Sequence, residues 1–319
     1  MMAASSSLYK HDSSRYLRAK IIITILRFLA YMKMIRNIRR DSYLPPNMVL
    51  EKIQIPSRDS HRTIEAHIYY PPGYDPSSSP PPLPVLINWH ASGFILPQLG
   101  TDRAYCMRMA RDAGIIVVDS DYRKGPENIF PAAVHDAVDT VRWVYSHPDR
   151  FDINSIALSG FSSGGNLALV TSAMSASSLK DVRINAVILY YPITNFTLDP
   201  ASRVRQDINN RLAISLVRLI YSCYVPEMSM RKDVRASPIL DDPSFFPETV
   251  VIFTCEGDNI DLEAEKLARE IDDGSRTVVL RRLKAIGHNW DKGVTKGSTY
   301  EKMRDEAYGE TVEILKKLG

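Results

Sequence analysis

The stretch IALSGFSSGGNLAL, residues 156–169, holds three serines, and one of them has the surroundings of a catalytic nucleophile. Ser162 is the central residue of a Gly-x-Ser-x-Gly pattern at positions 160–164. The pattern lies between an apolar strand-like run and a helix-like run, which is the context that a nucleophile elbow requires. We therefore predict that Ser162 is the nucleophile. Ser159 and Ser163 are better explained by packing and by capping of the helix.

A serine hydroxyl attacks a carbonyl only when a base takes its proton. Where a nucleophile elbow is present, the chain order is serine, acid, histidine. His288, in the loop-like stretch AIGHNW, is the only histidine after Ser162. The best acid is Asp258, because it directly follows the strand-like VVIFTCEG. Asp261 is better explained as a helix cap, and Glu256 is nearer the body of the strand.

The tetrahedral intermediate of acyl transfer needs hydrogen-bond donors for its oxyanion. One donor is expected from the backbone N–H of the residue after the nucleophile, Ser163. The others are expected from the loop HASGF, residues 90–94, which follows an apolar strand.

The elements that must position these residues alternate along the chain. Apolar strand-like runs alternate with helical patterns from residue 85 onwards, which favours a mostly parallel sheet of about eight strands covered by helices on both faces. The predicted strands are 48–55, 62–70, 85–90, 115–121, 155–160, 184–191, 249–257 and 277–283. The predicted helices are 101–113, 131–147, 164–179, 261–273 and 300–318. In open sheets of this class, ligands bind at the carboxyl ends of the strands.

Two segments stand outside this alternation. Residues 192–247 do not follow the alternation of strands and helices, and they contain an amphipathic helical pattern at 209–225. We therefore interpret them as a lid inserted over one end of the sheet. Residues 1–45 form a basic amphipathic helical segment that is expected to complete the lid. The predicted catalytic domain is then 46–319.

The N-terminal segment carries a strong charge asymmetry. Residues 1–40 contain nine Lys or Arg and one Asp, a net charge of +8, whereas the whole chain has +3. The preferred interpretation is a helix that packs its apolar stripe on the body of the protein, and the alternatives are a helix lying on a membrane surface through residues 17–40 or a true anchor. The stripe consists of Leu17, Ile21, Ile25, Phe28, Leu29, Met32 and Ile35.

The composition excludes several other classes of protein. The three cysteines are few and widely spaced, which argues against a disulfide framework and favours a reducing, cytoplasmic compartment. No zinc motif or nucleic-acid motif is present, so we expect no metal, no cofactor and no nucleic-acid partner. The oligomeric state is left open, a homodimer included.

Five stretches, taken in order, resemble the hormone-sensitive-lipase-like branch of the α/β-hydrolases, which includes many microbial and fungal carboxylesterases. The branch has His-Gly-Gly-Gly-Phe, Tyr-Arg-Leu-Ala-Pro-Glu, Gly-Asp-Ser-Ala-Gly-Gly, Asp-Pro-Leu-x-Asp-Glu and a late His with an aromatic residue two positions on. The corresponding stretches here are HASGF (90–94), YRKGPENIFPAA (122–133), GFSSGG (160–165), DNIDLE (258–263) and His288 with Trp290.

The resemblance implies an α/β-hydrolase fold with a helical lid and assigns the oxyanion amides to Ser92, Gly93 and Ser163. It also implies that His90 is structural. Among the departures from the pattern of the branch, Ala91 and Ser92 replace glycines, and Phe161 replaces an aspartate beside the nucleophile.

The leading hypothesis is a serine hydrolase that cleaves small-molecule carboxylic esters with a hydrophobic acyl or alcohol group. An alternative with the same chemistry is a thioesterase, lactonase or cyclase of a biosynthetic pathway, which the altered loops keep open. A third, a non-catalytic small-molecule receptor on the same scaffold, is disfavoured because Ser162, Asp258 and His288 are all present.

Overall fold

The computed structural model describes residues 13–40, 44–174, 177–203 and 214–318. Within these ranges the strands are β1 Val49–Pro56, β2 Thr63–Tyr70, β3 Leu83–Trp89, β4 Ile116–Ser120, β5 Phe151–Phe161, β6 Ile184–Tyr190, β7 Thr249–Cys255 and β8 Thr277–Leu283. The helices are α1 Ser13–Arg40, α2 Arg103–Ala113, α3 Ala132–Tyr145, α4 Ser163–Ala173, α5 Ile214–Tyr224, α6 Met228–Arg231, α7 Asp261–Ile271 and α8 Thr299–Leu315.

The described strands form one eight-stranded sheet in the order β1-β2-β4-β3-β5-β6-β7-β8. β1 and β2 are an antiparallel pair, as their alternating patterns predict, and β2 is also antiparallel to β4. Every pairing from β4 to β8 is parallel. The predicted α/β architecture is confirmed. The carboxyl ends of β3, β5, β7 and β8 therefore open on the same edge, where the predicted site residues follow them.

The core has two layers, one on each face of the sheet. Successive residues of a strand point to opposite faces, so in β3 Ile87 joins the layer under α3, α4 and α7, whereas Leu86 joins the layer under α2 and α8. The central strands are buried on both faces, which explains their nearly continuous apolar sequences.

The N-terminal helix forms, but its expected orientation is wrong. Six residues of the predicted packing stripe are between 53 and 64% exposed: Leu17, Ile21, Ile25, Phe28, Leu29 and Met32. The face that packs lies two positions further along, with Ala19 against the core and Ile23 fully buried. Arg27 is central to that face and secures it with an ion pair to Glu127, at 2.8 Å.

The physical reason is that, within the described ranges, the hydrogen-bond partners of Arg27 lie on the body of the protein. Its guanidinium also donates to the carbonyls of Ile95 (2.8 Å) and Gly125 (2.7 Å). Charge-assisted bonds of this kind are stronger than neutral ones, and they turn the larger apolar stripe outwards. No helix in the described ranges combines the length and the apolarity needed to cross a bilayer.

The other segments lie close to their predicted bounds. The predicted helix at 209–225 appears as α5, and its first residues, with 204–213 as a whole, lie outside the described ranges, as do residues 1–12 and 41–43. α4 ends at Ala173, earlier than predicted, and turns follow at 177–180. The serine-rich sequence there favours turns, because serine side chains compete for backbone groups.

Candidate active site

Ser162 lies in a sharp turn between β5 and α4. Its φ and ψ are 53° and −113°, a conformation that residues other than glycine seldom adopt. The flanking glycines are required by close approach: a Cβ on Gly160 would lie 2.2 Å from the carbonyl oxygen of Gly164, and one on Gly164 would lie 1.9 Å from that of Trp89. The Gly-x-Ser-x-Gly pattern therefore reflects tight packing of the turn against β3. The strained serine is the arrangement expected of a nucleophile elbow.

The three side chains predicted to act together lie in hydrogen-bond contact. His288 Nε2 is 2.8 Å from Ser162 Oγ, and His288 Nδ1 is 2.6 Å from Asp258 Oδ2. Asp258 follows β7 and His288 follows β8, so two neighbouring parallel strands deliver them to the same edge. The carboxylate fixes a tautomer in which Nδ1 carries the proton and Nε2 is free to accept one from the serine.

The two other acids weighed from the sequence have different partners. Glu256 accepts the backbone N–H of Ala285, at 3.1 Å. Asp261 is the first residue of α7 and forms an ion pair with Arg282, at 3.1 Å. Asp258 is therefore the acid that reaches the histidine.

The loop after β3 is held to the elbow by a cluster of hydroxyl groups. The amide of Ser92 donates to Ser163 Oγ (2.9 Å), and Ser163 Oγ lies 3.0 Å from the hydroxyl of Tyr122. The Tyr122 hydroxyl is 2.7 Å from Ser92 Oγ and donates to the carbonyl of His90 (2.7 Å). Ser92, Ser163 and Tyr122 are far apart in sequence, and this cluster was not predicted.

This cluster engages one of the expected oxyanion donors. The Ser92 amide points at the Ser163 hydroxyl, whereas the Ser163 amide belongs to the first turn of α4, where N–H groups have no intrahelical partner. The left-handed backbone angles of the loop fall on Gly93 (φ 57°) and Phe94 (φ 59°) rather than on the residues that replace glycines. The loop thus tolerates Ala91 and Ser92.

His90 lies beneath this loop and away from the triad. Its Nε2 is 3.0 Å from Asp121 Oδ1, and its ring stacks on Tyr122 with centroids 4.9 Å apart. Asp121 also forms an ion pair with Lys124 (2.7 Å). Burial would raise the pKa of Asp121, but Lys124 and His90 together hold it well below its usual range. These contacts indicate that His90 supports the loop structurally.

A cavity of about 310 Å³ adjoins Ser162 and His288. Its apolar lining residues come from α1, α5 and nearby loops: Ala30, Met34, Ile95, Leu96, Ile193, Leu216, Val217, Ile220 and Ile260. Polar residues line it as well, both beside α5, where Arg203 and Tyr221 lie, and around α2, α8 and the loop after His288: Gln98, Thr101, Asp102, Tyr105, Asn289, Asp291, Lys292, Arg304 and Tyr308. The lid interpretation predicted the apolar lining, whereas the polar lining was not predicted.

Phe161 does not face this cavity. Its ring is fully buried and stacks on Tyr190 with centroids 4.5 Å apart. The ammonium of Lys292 lies 3.4 Å from the centre of the same ring. No group of three His, Cys, Asp or Glu side chains in the described ranges is arranged to hold a metal ion.

The strand order, the elbow and the serine–histidine–aspartate contacts define the class of an α/β-hydrolase. The family model for the alpha/beta hydrolase fold matches residues 86–292. The chain belongs to this family, in its hormone-sensitive-lipase-like branch.

Relatives and solved structures agree with this assignment. The chain is 26% identical over 270 residues to the ethyl acetate hydrolase of Pseudomonas putida, an alignment that covers 84% of this chain and 82% of the relative. It resembles the esterase of Pyrobaculum calidifontis with a TM-score of 0.79 and 28% identity over 93% of each chain. A thermostable carboxylesterase from a metagenomic library has a TM-score of 0.78 and 26% identity, covering 92% of this chain and 97% of its own.

Proposed function

We propose that this protein is a serine hydrolase of carboxylic esters that works through an acyl-enzyme. The observation that carries the proposal is His288, whose two ring nitrogens contact Ser162 and Asp258 at 2.8 and 2.6 Å. The Pseudomonas putida relative is named for hydrolysis of ethyl acetate, and the Pyrobaculum calidifontis protein is described as an esterase. The apolar residues that line the cavity suit a hydrophobic group of the substrate.

The mechanism follows from the positions of the three side chains. Ser162 Oγ attacks the ester carbonyl while His288 Nε2 takes its proton, and Asp258 stabilises the imidazolium. The oxyanion is bound by the amides of Gly93 and Ser163, joined by Ser92 if its amide is released from the Ser163 hydroxyl. When the C–O bond to the alcohol breaks, His288 returns the proton to the leaving oxygen. Water then attacks the acyl-enzyme by the same route, releasing the acid and free Ser162.

The test is replacement of the nucleophile. We expect Ser162→Ala to lower kcat for p-nitrophenyl butyrate by about 10⁴- to 10⁶-fold, the range for loss of a triad serine. Ser172→Ala is the matched control, because Ser172 lies on the same helix, α4, and its hydroxyl bonds the carbonyl of Leu169. Undiminished turnover by Ser162→Ala would refute the assignment. An acyl thioester and a lactone assayed beside the ester would reveal a different preferred substrate.

We further propose that α1 and α5 together act as the lid over Ser162. Ala30 and Met34 of α1 and Leu216, Val217 and Ile220 of α5 line the same cavity. This supports a lid drawn from segments 1–45 and 192–247, with the catalytic domain at 46–319.

We propose that the outward face of α1 lies on an anionic membrane surface. An interfacial helix buries an apolar face in the headgroup region and is helped by basic residues. The exposed stripe from Leu17 to Met32 supplies the apolar face, and residues 1–40 carry a net charge of +8. A two-fold dimer through the same face would bring two such segments together, because a symmetric interface pairs a patch with itself. Charge repulsion therefore favours the membrane over a second copy of the chain.

The test is co-sedimentation with phosphatidylcholine vesicles that contain or lack 30% phosphatidylserine. We expect the intact protein to bind only the anionic vesicles, and to lose that binding in Ile25→Glu/Phe28→Glu. Leu262→Glu is the matched control, because Leu262 is an exposed apolar residue of α7, outside the stripe. Absence of binding, or concentration-dependent dimerisation that the double variant abolishes, would contradict the proposal.

A further inference from the structure

The side chain of Arg27, on α1, joins the N-terminal helix to the loop that follows β3. Its Nε donates to the carbonyl of Ile95, at 2.8 Å, and its Nη2 donates to the carbonyl of Gly125, at 2.7 Å. Nη1 and Nη2 also bind the two carboxylate oxygens of Glu127, at 3.0 and 2.8 Å. Burial would raise the pKa of Glu127, but the bonds from Arg27 and from its own backbone N–H hold that pKa below its usual range. The guanidinium is therefore a cation fixed in place against the carbonyl of Ile95.

Two peptide groups of this loop are joined in series by hydrogen bonds. A peptide group is planar and trans, so its C=O and its N–H point in opposite directions. The group between Ile95 and Leu96 faces Arg27 with its C=O. Its N–H donates to the carbonyl of Ser92, at 3.0 Å. That carbonyl belongs to the next peptide group, whose N–H is that of Gly93 and points away from the turn. The series thus runs from the guanidinium through two peptide groups to the Gly93 N–H.

The Gly93 N–H at the end of this series is one of the donors that we propose for the oxyanion. The Ser92 amide is already bonded to Ser163 Oγ, at 2.9 Å. Within the described ranges, by contrast, no group of the protein accepts the Gly93 N–H. Gly93 lines the cavity together with Ser162 and His288. It is therefore the donor that this loop can offer when the tetrahedral intermediate forms.

A cation at one end of such a series strengthens the donor at the other end. Hydrogen bonds in a chain polarise one another, and the effect is larger where bulk water is excluded. Ser92 and Ile95 keep only 5 and 1% of their surface exposed. The same bonds fix the direction of the donor, because rotation of either peptide group would break its bond to the next member of the series. The positive end of the series then meets the negative charge that develops on the ester oxygen.

We propose that Arg27 is a positioning residue for the oxyanion hole, which acts through two peptide groups to orient and polarise the Gly93 N–H. This rests on the proposed ester hydrolysis and deepens it, because it makes the N-terminal helix part of the machinery that stabilises the transition state. Arg27 also acts on the loop from a second side. Gly125, whose carbonyl it holds, donates its N–H to the carbonyl of Phe94, at 2.8 Å.

The test begins with steady-state hydrolysis of p-nitrophenyl butyrate by Arg27→Met. We expect kcat to fall about 10- to 30-fold, less than the roughly 10²- to 10³-fold cost of losing an oxyanion donor outright. KM should change little, because the charge concerned develops only in the transition state. Arg18→Met is the matched control, because it removes the same charge from an exposed position of the same helix. It should leave kcat unchanged.

Inhibition by two ketones separates this role from mere docking of the helix. Ser162 Oγ adds to the carbonyl carbon of butyl trifluoromethyl ketone, His288 takes the serine proton, and the carbonyl oxygen becomes an oxyanion in the hole. The inhibition constant of this ketone should rise in Arg27→Met by the same factor by which kcat falls. The inhibition constant of butyl methyl ketone, which binds as the neutral carbonyl, should stay unchanged. A purely structural role would move both inhibition constants together.

The proposal is overturned if kcat of a folded Arg27→Met protein stays within twofold of the wild type, if the loss is confined to KM, or if both ketones are affected equally. If Arg27→Met does not fold, Glu127→Gln decides, because it removes the charge that anchors the guanidinium and keeps the shape of the side chain. An unchanged ratio of the two inhibition constants in that variant would equally overturn the proposal. Failure of the proposed function is distinct, because the wild type would then show no Ser162-dependent hydrolysis of the ester.

Discussion

The hydrogen bond between the Ser92 amide and Ser163 Oγ predicts that removing a hydroxyl makes the enzyme faster. The bond occupies a donor that the tetrahedral intermediate would use, and it must be broken before that amide turns to the oxyanion. In Ser163→Ala the amide has no such competitor, while the Ser163 backbone N–H is retained. The variant also restores the alanine that the hormone-sensitive-lipase-like branch has at this position.

The expected gain can be estimated from the bond itself. A hydrogen bond of this kind contributes about 0.5–1.5 kcal/mol net, and about 1.4 kcal/mol corresponds to a factor of ten. The predicted rise in kcat is therefore about 2- to 12-fold. KM should change little, because the freed donor acts on charge that develops only in the transition state.

The assay is steady-state hydrolysis of p-nitrophenyl butyrate by the wild type, Ser163→Ala and Tyr122→Phe. Tyr122→Phe is the matched control, because it removes a different hydroxyl that lies 3.0 Å from Ser163 Oγ and leaves the bond from the Ser92 amide in place. It should give no rise in kcat. Thermal unfolding separates a catalytic effect from a loss of stability. An unchanged or lower kcat in a Ser163→Ala protein of wild-type stability would refute a role for the Ser92 amide at the oxyanion.

Two further predictions concern buried carboxyl groups. Asp258→Asn should lower kcat for p-nitrophenyl butyrate about 10⁴-fold with little change in KM, because the amide favours the wrong tautomer of His288. A loss of kcat smaller than tenfold in steady-state assays would contradict this prediction. Burial and the neighbouring Asp102 raise the pKa of Asp119 to about 8, well above its unfolded value of about 4. The stability from its protonated form is thus lost as pH rises from about 4 to about 8. The melting temperature of the wild type should fall more than that of Asp119→Asn between pH 5 and pH 9, and parallel curves would exclude this.

The contact among Ser162, His288 and Asp258 could be predicted because the fold allows few residues of the right types to meet at this edge of the sheet. The elbow pattern selects Ser162, and the order of the chain leaves His288 as the single histidine after it. Parallel strands place their carboxyl ends together, so Asp258 could be identified from its position after a strand. The structure puts all three in contact.

The orientation of α1 could not be predicted in the same way. Its two faces have the same helical spacing, and the face with the larger residues, such as Ile25 and Phe28, was the natural choice for packing. The face that packs contains Arg27, and this face turns towards the body because Arg27 forms an ion pair with Glu127, 100 residues away in the sequence. Hydrophobic periodicity measures how apolar a face is, and it carries no information about such a distant partner.

The contacts made by the residues that depart from the family pattern could not be predicted from the sequence either. Ser92 and Ser163 are 71 residues apart and bond each other, and the Tyr122 hydroxyl joins them. Lys292 forms ion pairs with Asp102, just before α2, and with Asp291, its neighbour in the chain. Each contact depends on how loops from different strands meet at the edge of the sheet, and no local pattern encodes it.

These contacts imply that the departures form two independent sets. Ser92 and Ser163 depend on each other, because the hydroxyl of one accepts the amide of the other. Phe161 belongs with Lys292, whose ammonium lies over its ring at 3.4 Å. An aspartate at position 161 would add a third carboxylate beside Lys292, where two are already paired with it, and excess buried negative charge is costly. We therefore expect substitutions in the first set to change kcat, because they alter the Ser92 amide near Ser162, and substitutions in the second set to act mainly on the stability of the fold, because the Phe161 ring is fully buried.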